Sequence, residues 1–195
     1  MENISSDRLD EILSALSELL VAAGADAHLV VIGGSGLVAI GAVTRPTRDV
    51  DVVALKHDDQ LVTAKPLPEP VATAAAIVAR DFDLDPDWLN PGPTSLLDLG
   101  LPQGFQKRLI TRRYGPSLAV SFAARVDQVF FKLYAAADRQ EPRDVADLQA
   151  LMPMAEELRA AARWTRTHNA PGPFDIALAQ TLSDFGVEDE GRDGV

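Results

Sequence analysis

Cysteine is missing from all 195 residues, which excludes disulfides and thiolate metal sites. Histidine is nearly missing. His28, His57 and His168 stand far apart, without the close spacing of a zinc centre. No apolar run nears the roughly 20 residues that span a bilayer. No G-x-x-x-x-G-K-[ST] run occurs, which excludes a P-loop. Basic residues are few, 18 against 29 acidic ones, for a net charge of −11. That balance argues against a general nucleic-acid-binding surface and leaves room only for a local basic patch. Asp81, Asp83, Asp85 and Asp87 imitate a calcium loop, but the turn glycine and closing glutamate are out of register. There is no internal repeat. The opening MENISSDRLDE is polar and acidic, unlike a signal peptide, so the expected location is the cytoplasm.

What is present is a hydrophobic content of 47%, enough for one sizeable core, and one organising stretch, VVIGGSGLVAIGAVTRPTRDVDVVAL from Val30 to Leu55. Leu29 to Ile32 reads as a buried strand. Gly33-Gly34-Ser35-Gly36 reads as a turn opening a short apolar helix, Leu37 to Ala42. A second strand, Asp49 to Leu55, begins with Asp49-Val50-Asp51. Side chains alternate along a strand, so the two carboxylates share one face while Val50 points to the core. Two adjacent carboxylates repel unless a cation lies between them, and Mg²⁺ takes such oxygen ligands together with substrate phosphates. Backbone N–H groups at a glycine turn attract phosphate oxygens, and the Ser35 hydroxyl can add a hydrogen bond.

Gly34-Ser35, a short helix, then Asp49-x-Asp51 on the next strand resembles the signature of polymerase-beta-like nucleotidyltransferases. With Arg45-Pro46-Thr47-Arg48 ahead of the aspartates, it is most similar to the AbiEii-like and MenT-like toxin branch, where an R-x-T-x-D-x-D form is common. A second block supports this resemblance. Arg125 to Ala137 reads as an amphipathic helix carrying Lys132. A turn follows with Arg139, then Arg143-Asp144-Val145-Ala146-Asp147-Leu148, with Asp144 positioned to cap the next helix. Alone, Lys132 reads equally well as a snorkelling surface lysine.

The resemblance implies a Mg²⁺-dependent transfer of a nucleotide from a nucleoside triphosphate, with pyrimidines (CTP or UTP) favoured, to the 3′ acceptor end of tRNA. Aminoacylation and translation would then stop, and a cognate antitoxin would be the protein partner. It implies triphosphate at Gly34 and Ser35, Mg²⁺ on Asp49 and Asp51, Lys132 on the phosphates, and Asp144, with Asp147 a weaker choice, supporting Lys132 or deprotonating the acceptor. A third metal ligand is left open between Asp127 and Asp144. Thr47, two residues before Asp49, is a candidate for an inactivating phosphorylation; Ser35 is a weaker one. Two rival readings are a nucleotidyltransferase of a small molecule, as in aminoglycoside adenylylation, and a non-enzymatic partner-binding protein on the same fold.

Lys107 to Phe122 reads as a hairpin around Tyr114-Gly115-Pro116. Its basic arm, Lys107, Arg108, Arg112 and Arg113, together with Arg125, supplies the candidate tRNA contacts, against the plainer reading of an edge strand guarded by charge. The remaining expectations are structural: an apolar-faced helix from Ser5 or Ser6 to Ala23, a helix over 70–80, an irregular stretch over 81–105 with a short helix at Thr94–Leu99, and helices near 154–165 and 174–185. Trp88 reads as core rather than as a base-stacking ring, and His57 as a surface residue. The expected fold is α+β: a small mixed nucleotidyltransferase-like sheet flanked by helices over 1–123, a helical part over 124–185 completing the active site, and a disordered acidic tail over 186–195.

Overall fold

The first helix, α1 (Ser6–Ala22), starts where Ser5 accepts a hydrogen bond from the Arg8 N–H and turns Leu9, Ile12, Leu13, Leu16 and Leu20 inward. It covers a sheet built from β1 (Ala27–Ile32), β2 (Val50–His57), β3 (Gln60–Val62), β4 (Leu89–Asn90), β5 (Ile110–Arg113) and β6 (Leu118–Phe122). The strand order is β3-β2-β1-β6-β5, with β4 added beside the start of β2. The sheet is mixed. β1 runs parallel to β6 and antiparallel to β2, and β4 runs parallel to β2. Short helices α2 (Gly33–Ala39), α4 (Ser95–Leu99) and α5 (Phe105–Arg108) and a longer one, α3 (Glu69–Asp81), complete this part.

The structure is a computed structural model that describes residues 3–168 and 172–189. These fall into two units, Met1–Ala124 and Arg125–Val195. Within the first, β2 and β1 alternate little, because both faces of the central strands are covered. Trp88 is fully buried and donates its indole N–H to the Ala75 carbonyl at 3.0 Å, so the core reading holds. Tyr114, at the end of β5, donates to the Asp10 carboxylate at 2.9 Å. Burial first, and that bond second, push its phenol up to about 12.

The second unit is helical: α6 (Arg125–Arg139), α7 (Pro142–Ala150), α8 (Ala155–Arg166) and α9 (Pro173–Asp184). Helix α6 packs on each of the other three. Trp164 of α8 sits edge-on to Phe130, Phe131 and Tyr134 of α6 at 5.6 to 6.1 Å between ring centres. No described helix is long and apolar enough to cross a membrane.

Several expectations change. The glycines do not form a turn ahead of a helix at Leu37–Ala42; the helix begins at Gly33 itself and ends at Ala39. One residue, Gly33 at φ +69°, makes the strand-to-helix junction, and only glycine takes that conformation without strain. Asp144 does not cap α7. Glu141 occupies the cap and Pro142 the first turn, the place where proline's missing N–H costs nothing. The tail does not leave the fold at Gly186. Val187 is buried and donates to the Leu182 carbonyl, and Asp189 takes both bonds of an Arg166 guanidinium arm at 2.6 Å. Residues 190–195 of that expected tail lie outside the described residues.

Candidate active site

Strand β1 ends at Ile32, and its antiparallel partner β2 begins at Val50 with Ile32 opposite Asp51. The glycine junction and the acidic triplet therefore meet at one end of the sheet, although sixteen residues of chain separate Gly33 from Val50. Asp49 lies one residue ahead of β2 rather than inside it. Both carboxylates are half-buried, while Val50 and Val52 are fully buried, the in–out alternation expected of this triplet.

Asp51 lies close against Gly33. A Cβ added to Gly33 would lie 2.3 Å from Asp51 Oδ2. The space above Gly33 thus lies against the protein's own carboxylate; the triphosphate that the resemblance implies belongs to the next two residues, Gly34 and Ser35. On the other side, the Asn90 amide donates to Asp51 Oδ1 at 2.8 Å. Asn90 belongs to the stretch expected to be irregular, and a two-residue strand gives no periodic signal by which it could have been found.

Asp49 is supported differently. The Thr47 hydroxyl stands 3.3 Å from Asp49 Oδ1 and 3.4 Å from its carbonyl. Thr47 is 1% exposed, and Ile4 pairs with it through two backbone bonds of 2.7 and 2.9 Å. A modifying enzyme would reach this buried side chain only after the fold opened locally. Gly34 and Ser35 are also enclosed. Ser35 Oγ is buried with no hydrogen-bond partner, an arrangement that costs about 1–3 kcal/mol unless a ligand or water completes it.

Two half-buried carboxylates fit a hard divalent cation. Mg²⁺ is commonly held by one or two carboxylates, its remaining positions filled by water and substrate phosphates. A carboxylate has about four lone-pair sites, and the bonds from Thr47 and Asn90 each use one. Among the described residues no group of three or more His, Asp or Glu is placed to hold a metal. Asp127 is fully buried on α6.

In the helical unit the second block comes together as a closed ionic cluster. Lys132 Nζ lies 3.1 Å from Asp144 Oδ1 and 2.7 Å from Asp147 Oδ2. Arg139 reaches the other Asp144 oxygen with two nitrogens, at 2.8 and 3.0 Å. Lys132, Asp144 and Asp147 are all more than 90% buried. Both carboxylates contact the ammonium, Asp147 at the shorter distance.

The basic candidates differ in their elements and partners. Lys107 and Arg108 are on α5, not on the hairpin arm. Arg108 donates to the Gln103 carbonyl at 2.9 Å. Arg112 donates to the Ala39 carbonyl at 2.5 Å and lies over the Phe122 ring at 5.5 Å. Ala39 is the last residue of α2, so Arg112 satisfies a helix-end carbonyl that would otherwise lack a partner. Arg125 donates to the Leu151 carbonyl at the end of α7 and pairs with Glu157. Lys107 and Arg113 remain at the exposed surface, and β5 is an edge strand guarded by charge.

A mixed sheet flanked by helices, with a glycine junction facing an Asp-x-Asp at the sheet's end, defines a nucleotidyltransferase-like fold. The comparison with protein families agrees: residues 7–156 match the family described as nucleotidyltransferase of unknown function (DUF6036). That match covers well over half of the chain, and the protein belongs to this family. No curated protein and no solved structure matches the chain.

Proposed function

We propose that the protein is a Mg²⁺-dependent nucleotidyltransferase acting on the 3′ end of a tRNA, as the toxin of a toxin–antitoxin pair, with a pyrimidine nucleoside triphosphate as donor. The observation that carries the metal part is the Asp49–Asp51 pair, set at the end of the sheet with Asp51 wedged between Gly33 and Asn90. Mg²⁺ on the two carboxylates would neutralise the triphosphate and align it for in-line attack on the α-phosphorus, with pyrophosphate leaving. The residues themselves hold the cation, fix its ligands, and through Ser35 offer a hydroxyl that lacks a partner. The tRNA, the pyrimidine preference and the antitoxin rest on the resemblance of the two motif blocks to the toxin branch.

The test is to incubate the protein with bulk tRNA, Mg²⁺ and each α-³²P nucleoside triphosphate, and to repeat it with Asp49→Ala. Label in the tRNA band that the variant loses supports the proposal and identifies the nucleotide. Absence of label with all four nucleotides rejects the tRNA reading.

One observation favours the small-molecule rival. Arg112 and Arg125, and in part Arg108, serve the protein's own carbonyls and carboxylates, which leaves Lys107 and Arg113 of the candidate contacts for a polyanion. The discriminating variants are therefore Lys107→Glu and Arg113→Glu. A tRNA-modifying enzyme loses transfer in these variants, and more steeply as salt rises; a small-molecule enzyme keeps its rate. Arg112→Glu does not discriminate, because it removes the bond that closes α2.

A further inference from the structure

We infer that Asn90 is a positioning residue for Asp51, holding the carboxylate in the orientation in which it meets the cation; this rests on the metal reading proposed above.

The placement follows from the strand register. β4 runs parallel to the start of β2, with Leu89 opposite Val50 and Asn90 opposite Asp51. Residues directly opposite each other on adjacent strands project to the same face, so Asn90 and Asp51 stand side by side. The short strand is firmly held. Trp88, just before it, is fully buried, and the Trp88 carbonyl accepts from the Val50 N–H at 2.6 Å.

The amide has only one way to face. The Gly92 N–H donates to Asn90 Oδ1 at 2.9 Å, so the oxygen is turned away from Asp51 and the NH₂ group toward it, at 2.8 Å from Oδ1. The reverse orientation would set two acceptors against each other at Asp51 and two donors at Gly92. Position 92 also needs to be small, since a Cβ there would lie 2.9 Å from the Asn90 oxygen. At the far end of the carboxylate, Gly33 leaves room for Asp51 Oδ2. The carboxylate is thus held through Oδ1 before any cation arrives, with room for Oδ2 over Gly33, and rotamer freedom already restricted is not lost again on binding. Asn90 achieves this without charge. An acid at the same position would bring a third carboxylate to the pair.

Outer partners of this kind commonly govern metal affinity by about 10- to 100-fold. The test uses Mn²⁺ as the probe for the Mg²⁺ site, titrated into purified full-length protein and followed by electron paramagnetic resonance of the free ion. Asn90→Ala is expected to weaken Mn²⁺ binding about 10-fold. Asn90→Asp keeps an acceptor for the Gly92 N–H and adds a negative charge, so it is expected to tighten binding. Opposite shifts from one position, with melting temperatures near the parent's, are not produced by a residue that merely stabilises a turn. An Asn90→Ala protein whose Mn²⁺ constant stays within about twofold of the parent overturns the inference, whatever Asn90→Asp does. Asp51→Ala separates this failure from failure of the functional reading. If the parent and Asp51→Ala bind Mn²⁺ alike, the metal site itself is wrong and the inference goes with it. If Asp51→Ala loses binding and Asn90→Ala does not, only the role of Asn90 fails.

Discussion

The two acidic clusters of this protein are built in opposite ways. In the sheet unit, Asp49 and Asp51 are half-buried, and the polar groups found on them, the Thr47 hydroxyl and the Asn90 amide, are neutral. In the helical unit, Asp144 and Asp147 are buried with Lys132 between them and Arg139 on the outer oxygen. The second set of charges cancels within itself: two acids, two bases. On the first pair, the Thr47 hydroxyl and the Asn90 amide are neutral donors that orient the carboxylates. An acidic pair oriented by neutral groups has the electrostatics of a cation site, whereas a neutralised buried cluster has those of a structural lock. This assigns the two motif blocks different immediate roles, although both enter the same family resemblance.

The comparison breaks most clearly through substitutions that should affect one property and spare the other. Asp51→Asn, and likewise Asp49→Asn, should lower transfer at saturating substrate by at least about 100-fold. Their unfolding free energies should stay within about 1 kcal/mol of the parent. Lys132→Met should do the reverse in its first effect. It leaves two buried carboxylates without their shared ammonium and should cost about 3–5 kcal/mol, read as a fall in the urea midpoint. If Lys132→Met unfolds no more easily than the parent, the cluster is not a lock, and the contrast between the two regions disappears.

How much of this could be read from the sequence depends on the range of the interaction. The strand, the short helix and the acidic triplet are local patterns with periods of two or near four, and they stand where the pattern puts them, with boundaries moved by one to four residues. The mixed sheet and the helical second part follow from the same signals. The partners of the functional groups are not local. Asn90 is 39 residues from Asp51, and Arg112 is 73 from Ala39. Nothing in a basic run distinguishes an arginine that closes a helix from one that meets solvent. The glycine was legible as a special position, but the reason was not. Gly33 leaves room for the protein's own Asp51, a neighbour that the local pattern does not reveal. The capping role given to Asp144 failed for a related reason: an acid in a first turn is a common cap, and only the fold shows that Lys132 and Arg139 claim it.

Gly33→Ala sharpens the comparison, with Gly41→Ala as its control. Both glycines have positive φ, +69° and +73°, so an alanine at either should cost about 1–2 kcal/mol in backbone strain. They differ in surroundings. A Cβ at Gly41 meets nothing within 4 Å, whereas one at Gly33 meets Asp51 Oδ2. Gly41→Ala should therefore lose stability and keep its transfer rate per folded molecule. Gly33→Ala should lose both, because the carboxylate must swing away from its seat. Equal activity in the two variants would show that the seat over Gly33 does not matter to function.

The smallest expected effect lies away from both clusters and tests whether the sheet unit contains a titrating group of its own. His28 on β1 has Nε2 2.7 Å from Ser121 Oγ, which in turn is 2.6 Å from the Thr111 hydroxyl of β5. Burial first, then the nearby charges of Lys56 and Arg113, hold its pKa below the ordinary 6.5. As pH falls through that ordinary value, the unfolded chain takes up a proton that the folded one refuses, so stability must fall. Above it both states are neutral and the contribution is flat. Other acid-sensitive groups act in the same direction, so the informative quantity is a difference. The melting temperature of the parent should fall more between about pH 7 and pH 5 than that of His28→Gln, which cannot take up the proton in either state. Parallel curves would mean that the imidazole titrates alike in both states, and that Lys56 and Arg113 exert no field on this face of the sheet.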